Sequence, residues 1–204
     1  MGIVDYGMGN LKSIVNAFSH LGQKSEICFR PDQIDACDRL VIPGVGAYRT
    51  AMENLRRCAL AEAICNYAEN GRPVLGICLG MQLMSTYGTE PERTDGLNLI
   101  PGEVIPLPKC AGFRLPHVGW NTALASFSHA LLENIQPNLD WYFVHSYQFL
   151  AAAPATCLAM TDCGVVFTSM VASKNIIGVQ FHPEKSQDHG LQFLQNFTNW
   201  NGAC

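Results

Sequence analysis

The side chain whose surroundings most clearly suggest reactivity is that of Cys78, which lies between two glycines in the stretch GICLGMQ at residues 76–82. An apolar run precedes it, so the pattern predicts a sharp turn from a strand into a helix. Such a turn would place the sulfur at the carboxyl edge of a sheet and at a helix N-terminus, where a thiolate is favoured. It would also direct the backbone N–H of Leu79 toward an oxyanion on an attacked carbonyl. Gly76 and Gly80 suit this turn because side chains there would clash.

A base and an orienting carboxylate follow later, in the stretch FHPE at residues 181–184. Residues i and i+2 of an extended segment face the same way, and Pro183 restricts His182 to extended backbone. The Glu184 carboxylate can therefore hold one imidazole nitrogen while the other nitrogen meets the thiol. Alone, this stretch is more typical of a solvated surface turn. Combined with Cys78, it predicts a nucleophilic triad that attacks an acyl group.

The elements that must position these groups follow an alternating pattern in the first half of the chain. Apolar runs predict strands at residues 3–4, 40–42 and 74–77, and amphipathic spacing predicts helices from 11 to before 22, from about 50 to 70 and from 79 to 87. This alternation favours a three-layer α/β fold with a mostly parallel central sheet and helices on both faces.

The second half of the chain has a different character. From Gly96 to Tyr147 it is rich in proline, glycine and aromatic residues with short strand-like pieces, which predicts a smaller antiparallel portion. A hairpin is predicted between residues 165–167 and 176–181, and a last helix at 187–200. No repeat or linker is evident, so we expect a single domain over residues 1–204.

Composition excludes several classes of function. The 204 residues are 48% hydrophobic and 15% charged, which indicates a folded globular protein. A net charge of −4 without a basic run argues against nucleic acid as a partner. No apolar run approaches the roughly 20 residues that span a bilayer. The N-terminus lacks the basic region of a signal peptide, so we expect a cytoplasmic protein without membrane contact.

The other cysteines give no sign of a metal site. The total of nine is odd, and no Cys-x-x-Cys or Cys/His pair has zinc spacing. Apart from Cys78, we expect them to be small buried hydrophobes or incidental thiols in a reducing compartment. These are Cys28, Cys37, Cys58, Cys65, Cys110, Cys157, Cys163 and Cys204.

Two stretches, GICLGMQ at residues 76–82 and FHPEKS at 181–186, resemble the catalytic signatures of class I (triad-type) glutamine amidotransferases. The resemblance narrows to the glutaminase subunits of imidazole glycerol phosphate synthase, in histidine biosynthesis. The stretches that narrow it are DYGMGNL at 5–11, PGVGA at 43–47, LPHVGWN at 115–121 and YFVHSY at 142–147. Together these matches run in family order along nearly the whole chain.

The resemblance implies a role for each matching residue. Cys78 would attack the side-chain amide of glutamine, His182 would act as general base and then as acid to the leaving ammonia, and Glu184 would orient it. The residues implied to form the oxyanion hole or to contact glutamine are Gly44, Val45, Gly46, Leu79, Gln82, Ser146 and Tyr147. The family uses no metal and no cofactor. His117 and His145 lie within the family stretches and are weaker candidates for a direct role.

The resemblance also implies a partner. One glutaminase domain accounts for this length of chain, so we expect the ammonia acceptor on another polypeptide. In the family, the partner is a (β/α)₈-barrel cyclase that receives ammonia through a channel and joins it to a ribonucleotide intermediate. The residues implied to face this cyclase in a heterodimer are Asn10, Pro116, Gly119, Trp120 and Asn121.

Three other hypotheses stay open at this point. The chain could be a glutaminase for a different synthase, a cysteine hydrolase or peptidase on the same sheet, or a catalytically silent binding module. Residues 43–47 and Gln82 argue against a peptidase, and the complete triad argues against a silent module. Release of glutamate from glutamine would exclude the cysteine hydrolase and the silent module. It does not exclude the glutaminase for a different synthase, which would release glutamate as well.

Overall fold

The structure is a computed structural model that describes residues 1–108 and 114–203. Its strands are β1 (Gly2–Val4), β2 (Glu26–Cys28), β3 (Leu40–Ile42), β4 (Val74–Ile77), β5 (Tyr87–Gly88), β6 (Thr94–Asp95), β7 (Gly102–Pro106), β8 (His117–Thr122), β9 (Leu124–Ala125), β10 (Asp140–His145), β11 (Tyr147–Ala151), β12 (Cys157–Asp162), β13 (Val166–Ser173) and β14 (Ile176–Val179). Its α-helices are α1 (Leu11–His20), α2 (Pro31–Asp35), α3 (Tyr48–Arg57), α4 (Leu60–Glu69), α5 (Leu79–Leu83) and α6 (Gln187–Asn199).

The central sheet has the strand order β2-β1-β3-β4-β14-β13-β12-β9. The strands from β2 to β14 are parallel, and β13, β12 and β9 extend the sheet in antiparallel fashion. Because β4 and β14 are neighbours and parallel, their carboxyl ends open at the same edge. The chain segments that follow these two strands carry the predicted catalytic residues.

Helices cover both faces of this sheet, as the alternation of apolar residues requires. Val4 and Ile42 point to one face, where they pack with residues of α3 and α4. Their neighbours Ile3 and Val41 point to the other face, where they pack with residues of α1 and α6. Since successive strand residues face opposite sides, two apolar residues per strand are enough to build both cores. The predicted three-layer α/β fold is confirmed.

The single helix predicted at residues 50–70 is wrong, because the structure contains two helices with a break at Cys58 and Ala59. In one continuous helix, the exposed Cys58 and Glu62 would follow buried Leu55 on the apolar stripe. Ala59 instead adopts a left-handed conformation (φ 56°). The break rotates α4 relative to α3, so that Leu60 and the later apolar residues on the same face of α4 point into the core.

The helix predicted to run from residue 79 to 87 also ends early, at Leu83. A later segment of the chain donates hydrogen bonds to carbonyl groups that a longer helix would use for its own hydrogen bonds. The amide of Leu97 donates to the Leu83 oxygen at 2.8 Å, and that of Ile100 donates to Met84 at 3.0 Å. The chain then enters the short strands β5 and β6.

The smaller sheets of the second half confirm the predicted antiparallel portion. β10 pairs with β8, and a second small sheet has the order β11-β7-β5-β6, in which only the β5–β7 pair is parallel. The hairpin between β13 and β14 and the terminal helix α6 also follow the prediction. Among the described residues, no helix has the length and apolar character needed to cross a membrane.

The cysteines away from Cys78 occupy different environments. Those in the described ranges are free thiols. Cys28 and Cys37 are buried with their sulfur atoms 3.8 Å apart, and burial raises the pKa of Cys28 to about 12. Cys58 is exposed. Cys110 and Cys204 lie outside the described residues.

Candidate active site

The nucleophile turn is built where β4 ends. The amide of Cys78 donates to the Val179 carbonyl of β14 at 2.7 Å, which ties the turn to the neighbouring strand. Cys78 itself has φ 55° and ψ −111°, a conformation that costs a non-glycine residue about 1–3 kcal/mol. A Cβ on Gly80 would overlap the Ile42 carbonyl, and one on Gly76 would lie 2.7 Å from the Gly80 backbone. The two glycines therefore allow the close packing that holds the strained cysteine in place.

His182 and Glu184 form the predicted pair at the end of β14. The backbone of His182 is extended (φ −105°, ψ 94°), and its Nδ1 lies 2.8 Å from Oε1 of Glu184. The side chains are only 3% and 2% exposed. His182 Nε2 and Glu184 Oε2 are both buried without a hydrogen-bond partner among the described residues. The nitrogen not held by the carboxylate is therefore available to exchange a proton.

The electrostatics of the site favour a protonated His182. Burial disfavours the imidazolium, but the thiol of Cys78 and the carboxylate of Glu184 outweigh this effect and raise the pKa of His182 to about 9. A base with this property holds a proton taken from the thiol and can return it to a leaving group.

The sulfur of Cys78 lies between two further groups. It donates a weak hydrogen bond to the Val144 carbonyl at 3.8 Å and accepts one from Nε2 of Gln180 at 3.7 Å. Cys78 is 6% exposed. The thiol thus rests in a small polar cage next to His182, with one side open to a pocket.

That pocket has a volume of about 470 Å³ and collects most of the predicted substrate residues. Its lining comprises Val45, Gly46, Ala47, Cys78, Leu79, Gln82, Glu90, Pro116, Val144, His145, Ser146 and Tyr147. Gly44 is the exception, because it packs beneath the turn against Tyr6 and the α5 backbone. The structure therefore brings Cys78 together with six of the seven predicted residues, Val45, Gly46, Leu79, Gln82, Ser146 and Tyr147. Gly44 has a packing role and does not line the pocket.

The amide of Gln82 has a fixed orientation. Its Nε2 donates to the Tyr147 carbonyl at 3.3 Å and to Oε1 of Gln180 at 3.0 Å. Both amide hydrogens are thus used within the protein. The oxygen of Gln82 is the atom left to meet a ligand, so this side chain acts as an acceptor.

A chain of buried side chains continues from the same carbonyl. His145 Nδ1 lies 2.8 Å from the Tyr147 oxygen, His145 Nε2 lies 3.0 Å from His117 Nδ1, and His117 Nε2 lies 2.7 Å from Asn121 Nδ2. A carbonyl can only accept, so His145 Nδ1 carries the proton, His117 Nδ1 donates to His145, and Asn121 donates to His117. With Nδ2 of Asn121 facing His117, every donor in this chain of hydrogen bonds meets an acceptor only when both imidazole rings are neutral.

This arrangement predicts a loss of stability in acid. Burial, with smaller contributions from the neighbouring His117 and His182, lowers the pKa of His145 from 6.5 to about 3. Because the folded-state pKa lies below the unfolded value, the stabilisation is present above pH 6.5 and is lost as the pH falls. We expect His145 to reduce the free energy of unfolding by about 2 kcal/mol at pH 5. Urea unfolding of the wild type and of His145→Gln between pH 7.5 and 5 measures this difference. The prediction is contradicted if the free energies of unfolding of the two proteins change equally with pH.

Two residues of the site were not found by sequence reasoning. Glu90 supplies a carboxylate to the pocket lining, where its Oε2 accepts a hydrogen bond from the Tyr48 amide at 3.0 Å. Gln180 contacts the sulfur itself. The signal for Gln180 was its place two residues before His182. No local pattern marked Glu90, which lies in a polar loop.

The residues implied to face a cyclase are exposed or half-buried. Trp120 is 43% exposed and packs on Tyr142, whose ring in turn lies 6.3 Å from that of His182. Pro116 lines the pocket, and Asn121 reaches inward to His117. Asn10 is exposed and caps α1 through a bond from the Ser13 amide at 3.4 Å.

Within the described ranges, no group of three or more His, Cys, Asp or Glu side chains could hold a metal ion. The site offers a thiol, an imidazole and a carboxylate beside a pocket with acceptor groups.

Comparison with known proteins gives a consistent result. Residues 2–200 match the family model "Glutamine amidotransferase class-I". The imidazole glycerol phosphate synthase subunit HisH of Moorella thermoacetica is 44% identical over 195 residues, which cover 96% of this chain and 92% of that protein. The subunit HisH of Sulfurimonas denitrificans is 43% identical over 201 residues, covering 97% of each chain.

Solved structures agree on the fold. PurLQS from Thermotoga maritima superimposes with a TM-score of 0.76 at 17% identity, covering 97% of this chain and 96% of that chain. A crystal structure of a glutamine amidotransferase gives a TM-score of 0.73 at 17% identity, covering 97% and 98%. The chain belongs to the class-I glutamine amidotransferase family and, within it, to the HisH subunits of imidazole glycerol phosphate synthase.

Proposed function

We propose that this chain, as a single domain, hydrolyses glutamine to glutamate and ammonia through a thioester on Cys78. The observation that carries the proposal is the meeting of two parallel strand ends. Cys78 follows β4, while His182 and Glu184 follow β14, and a pocket that includes polar side chains opens beside the sulfur. The family membership of the chain supports the same reaction.

In the first half-reaction, the thiol proton passes to Nε2 of His182 and the sulfur attacks the side-chain carbonyl carbon of glutamine. The resulting oxyanion would lie near the amide of Leu79 and the Val45–Gly46 segment of the pocket wall. The intermediate collapses by breaking the carbon–nitrogen bond, and His182 returns its proton to the leaving amine. Ammonia departs and a glutamyl thioester remains.

In the second half-reaction, His182 takes a proton from water, and the oxygen of that water attacks the thioester carbonyl. Collapse of the second intermediate expels the sulfur of Cys78, which regains its proton from His182. Glutamate leaves the pocket. Glu184 holds the ring in position in both directions because its Oε1 is bonded to Nδ1.

The pocket offers acceptor groups for the charged end of the substrate. Glu90 contributes a negative charge and Gln82 an amide oxygen, and both suit the α-ammonium group of glutamine. Ser146 and Tyr147 line the same space and would complete the contacts with glutamine. This arrangement would place the side-chain amide of the substrate toward Cys78.

The role of Glu90 can be tested by Glu90→Gln. Glutamine keeps an oxygen for the Tyr48 amide, so the start of α3 should stay in place, whereas the attraction for the ammonium group is lost. We expect KM for glutamine to rise about 10- to 100-fold with little change in kcat, which is the range for a hydrogen bond to a charged group. Glu103→Gln is the matched control, since Glu103 bonds Tyr87 outside the pocket. A fall in kcat at unchanged KM would contradict this assignment.

We further propose that the ammonia passes through a channel to a (β/α)₈-barrel cyclase, with which this chain forms a heterodimer in the cytoplasm. The complex would act as a lyase that produces imidazole glycerol phosphate and an aminoimidazole ribonucleotide. Exposed Trp120, and exposed Pro116 in the pocket lining, support a partner on this side of the molecule. The side-chain contact from Asn121 to His117 connects that surface to the interior.

The decisive experiment measures glutamate release by the purified chain, alone and with the cyclase subunit and its ribonucleotide ligand. We expect hydrolysis of glutamine, stimulated strongly by the loaded partner, and formation of a one-to-one complex. Hydrolysis that is stimulated by another synthase's acceptor subunit and not by the cyclase would support a different glutaminase. Absence of hydrolysis and of Cys78 labelling by a glutamine-like electrophile, with the partner present, would contradict an enzymatic role.

A further inference from the structure

Gln180 occupies an unusual place for an amide side chain. It follows β14 directly, is fully buried, and its backbone amide is bonded to the Ser169 carbonyl at 2.9 Å. Its Nε2 lies 3.7 Å from the sulfur of Cys78. A buried amide directed at a nucleophilic sulfur is a fixed donor at a position where negative charge develops.

The orientation of this amide follows from its neighbour. Gln82 donates to Oε1 of Gln180 at 3.0 Å, so the oxygen of Gln180 faces Gln82 and its nitrogen faces Cys78. Gln82 is itself held by the Tyr147 carbonyl, which also accepts from His145. The opposite amide orientation would place two amino groups together and an oxygen against the sulfur. The network therefore selects the donor orientation.

We propose that Gln180 donates a hydrogen bond that stabilises the Cys78 thiolate, both when the thiol loses its proton and when the sulfur leaves the thioester. This role rests on the proposed glutaminase function. A hydrogen bond to an anion is stronger than one to a neutral sulfur, so the donor favours the charged states of the reaction. It complements His182, which exchanges the proton, while Gln180 has none to give up.

The other groups around the sulfur do not duplicate this contribution. The Val144 carbonyl can only accept, and the Tyr6 hydroxyl donates to the Pro43 carbonyl at 2.6 Å. Burial keeps His145 neutral, with its Nδ1 hydrogen on the Tyr147 oxygen. His182, backed by Glu184, supplies the positive charge. In the described part of the chain, Gln180 is the amide side chain in hydrogen-bond contact with this sulfur.

The test measures alkylation of Cys78 by iodoacetamide from pH 5 to 10, followed by mass spectrometry of the peptide that contains Cys78. This readout needs neither glutamine nor a partner. In Gln180→Met, which has similar volume and no donor, we expect alkylation below the midpoint to slow about tenfold and the midpoint to move to higher pH. The rate at the alkaline plateau should stay close to that of the wild type, because the thiolate is then fully formed.

Gln180→Glu separates hydrogen bonding from packing. Glutamate has the same shape but, when ionised, offers an oxygen to the sulfur, so we expect alkylation near neutral pH to be slower than in Gln180→Met. If Gln180 only fills space, the methionine variant, which has similar volume, should keep the wild-type alkylation profile. Gln192→Met on α6 controls for the substitution itself, and thermal unfolding reports whether each variant is folded. If the methionine variant does not fold, Gln180→Leu, which also lacks a donor, takes its place in the comparison.

The outcomes separate this role from the reaction. Unchanged alkylation profiles in the variants, with normal glutamine hydrolysis by the wild type, would overturn the role of Gln180 and leave the glutaminase intact. Shifted profiles in the variants, with no hydrolysis by the wild type and its partner, would support the donor and overturn the reaction.

Discussion

Cys78→Ala is expected to lower glutamine-dependent turnover by about 10⁴-fold or more, to the detection limit. The substitution removes the sulfur that would form the thioester. Among the described pocket residues, Ser146 and Tyr147 carry hydroxyl groups, but they lie where β10 passes into β11 and not at the end of β4. The thiol is 6% exposed and contributes little surface. Binding of the cyclase should therefore be retained, and the rate of glutamate release in the complex is the measurement.

Cys58→Ala is the matched control for this substitution, because Cys58 is an exposed thiol at the end of α3 and is not part of the pocket lining. It should leave turnover unchanged. Loss of partner binding in Cys78→Ala would show that the turn has a structural role beyond chemistry. Residual activity close to the wild type would contradict the thioester mechanism.

Glu184→Gln is expected to lower kcat by about 10³- to 10⁴-fold, because the imidazole of His182 loses the group that fixes its orientation and favours its protonated form. The 2.8 Å contact from Glu184 Oε1 to Nδ1 is the hydrogen bond that holds the His182 ring from the side opposite Nε2. With the carboxylate removed, the pKa of His182 should fall from about 9. The pH profile of kcat and the proton NMR titration of the ring measure these two effects.

A double-mutant cycle makes this prediction specific. If Glu184 acts through His182, adding Glu184→Gln to His182→Ala should reduce the rate little further. Multiplicative losses would indicate that Glu184 contributes independently of the ring. A wild-type kcat in Glu184→Gln would remove the carboxylate from the mechanism.

The triad could be predicted from the sequence because each part of it is local. A cysteine between two glycines after an apolar run specifies a tight turn, and a His-Pro-Glu stretch specifies which side chains share a face. Neither inference needs distant contacts. The strand–helix alternation that predicts the three-layer fold is local in the same sense, and the structure confirms it.

The errors and omissions have a non-local cause. The prediction of one long helix from about residue 50 to 70 was wrong, because the packing of Leu60 into the core requires a break at Ala59 that overrides the helical pattern. The helix after Cys78 ended early because residues far along the chain donate to its carbonyls. Glu90 reached the pocket through its bond to Tyr48 at the start of α3, a contact between residues 42 positions apart. Propensity and periodicity contain no information on such contacts.

The amino-acid sequence by itself predicted Cys78, His182 and Glu184 as the nucleophile, the base and the carboxylate, and it determined the α/β layering that could hold them. Only the tertiary structure decided that β14 lies directly beside β4, because strand order depends on how the chain crosses the sheet. That adjacency joins Cys78 to His182 and brings Gln180 against the sulfur. The direction of the hydrogen bond from Gln180 to the thiol also depends on the fold, since Gln180 takes its orientation from Gln82 on α5, and Gln82 takes its own from the Tyr147 carbonyl on β11.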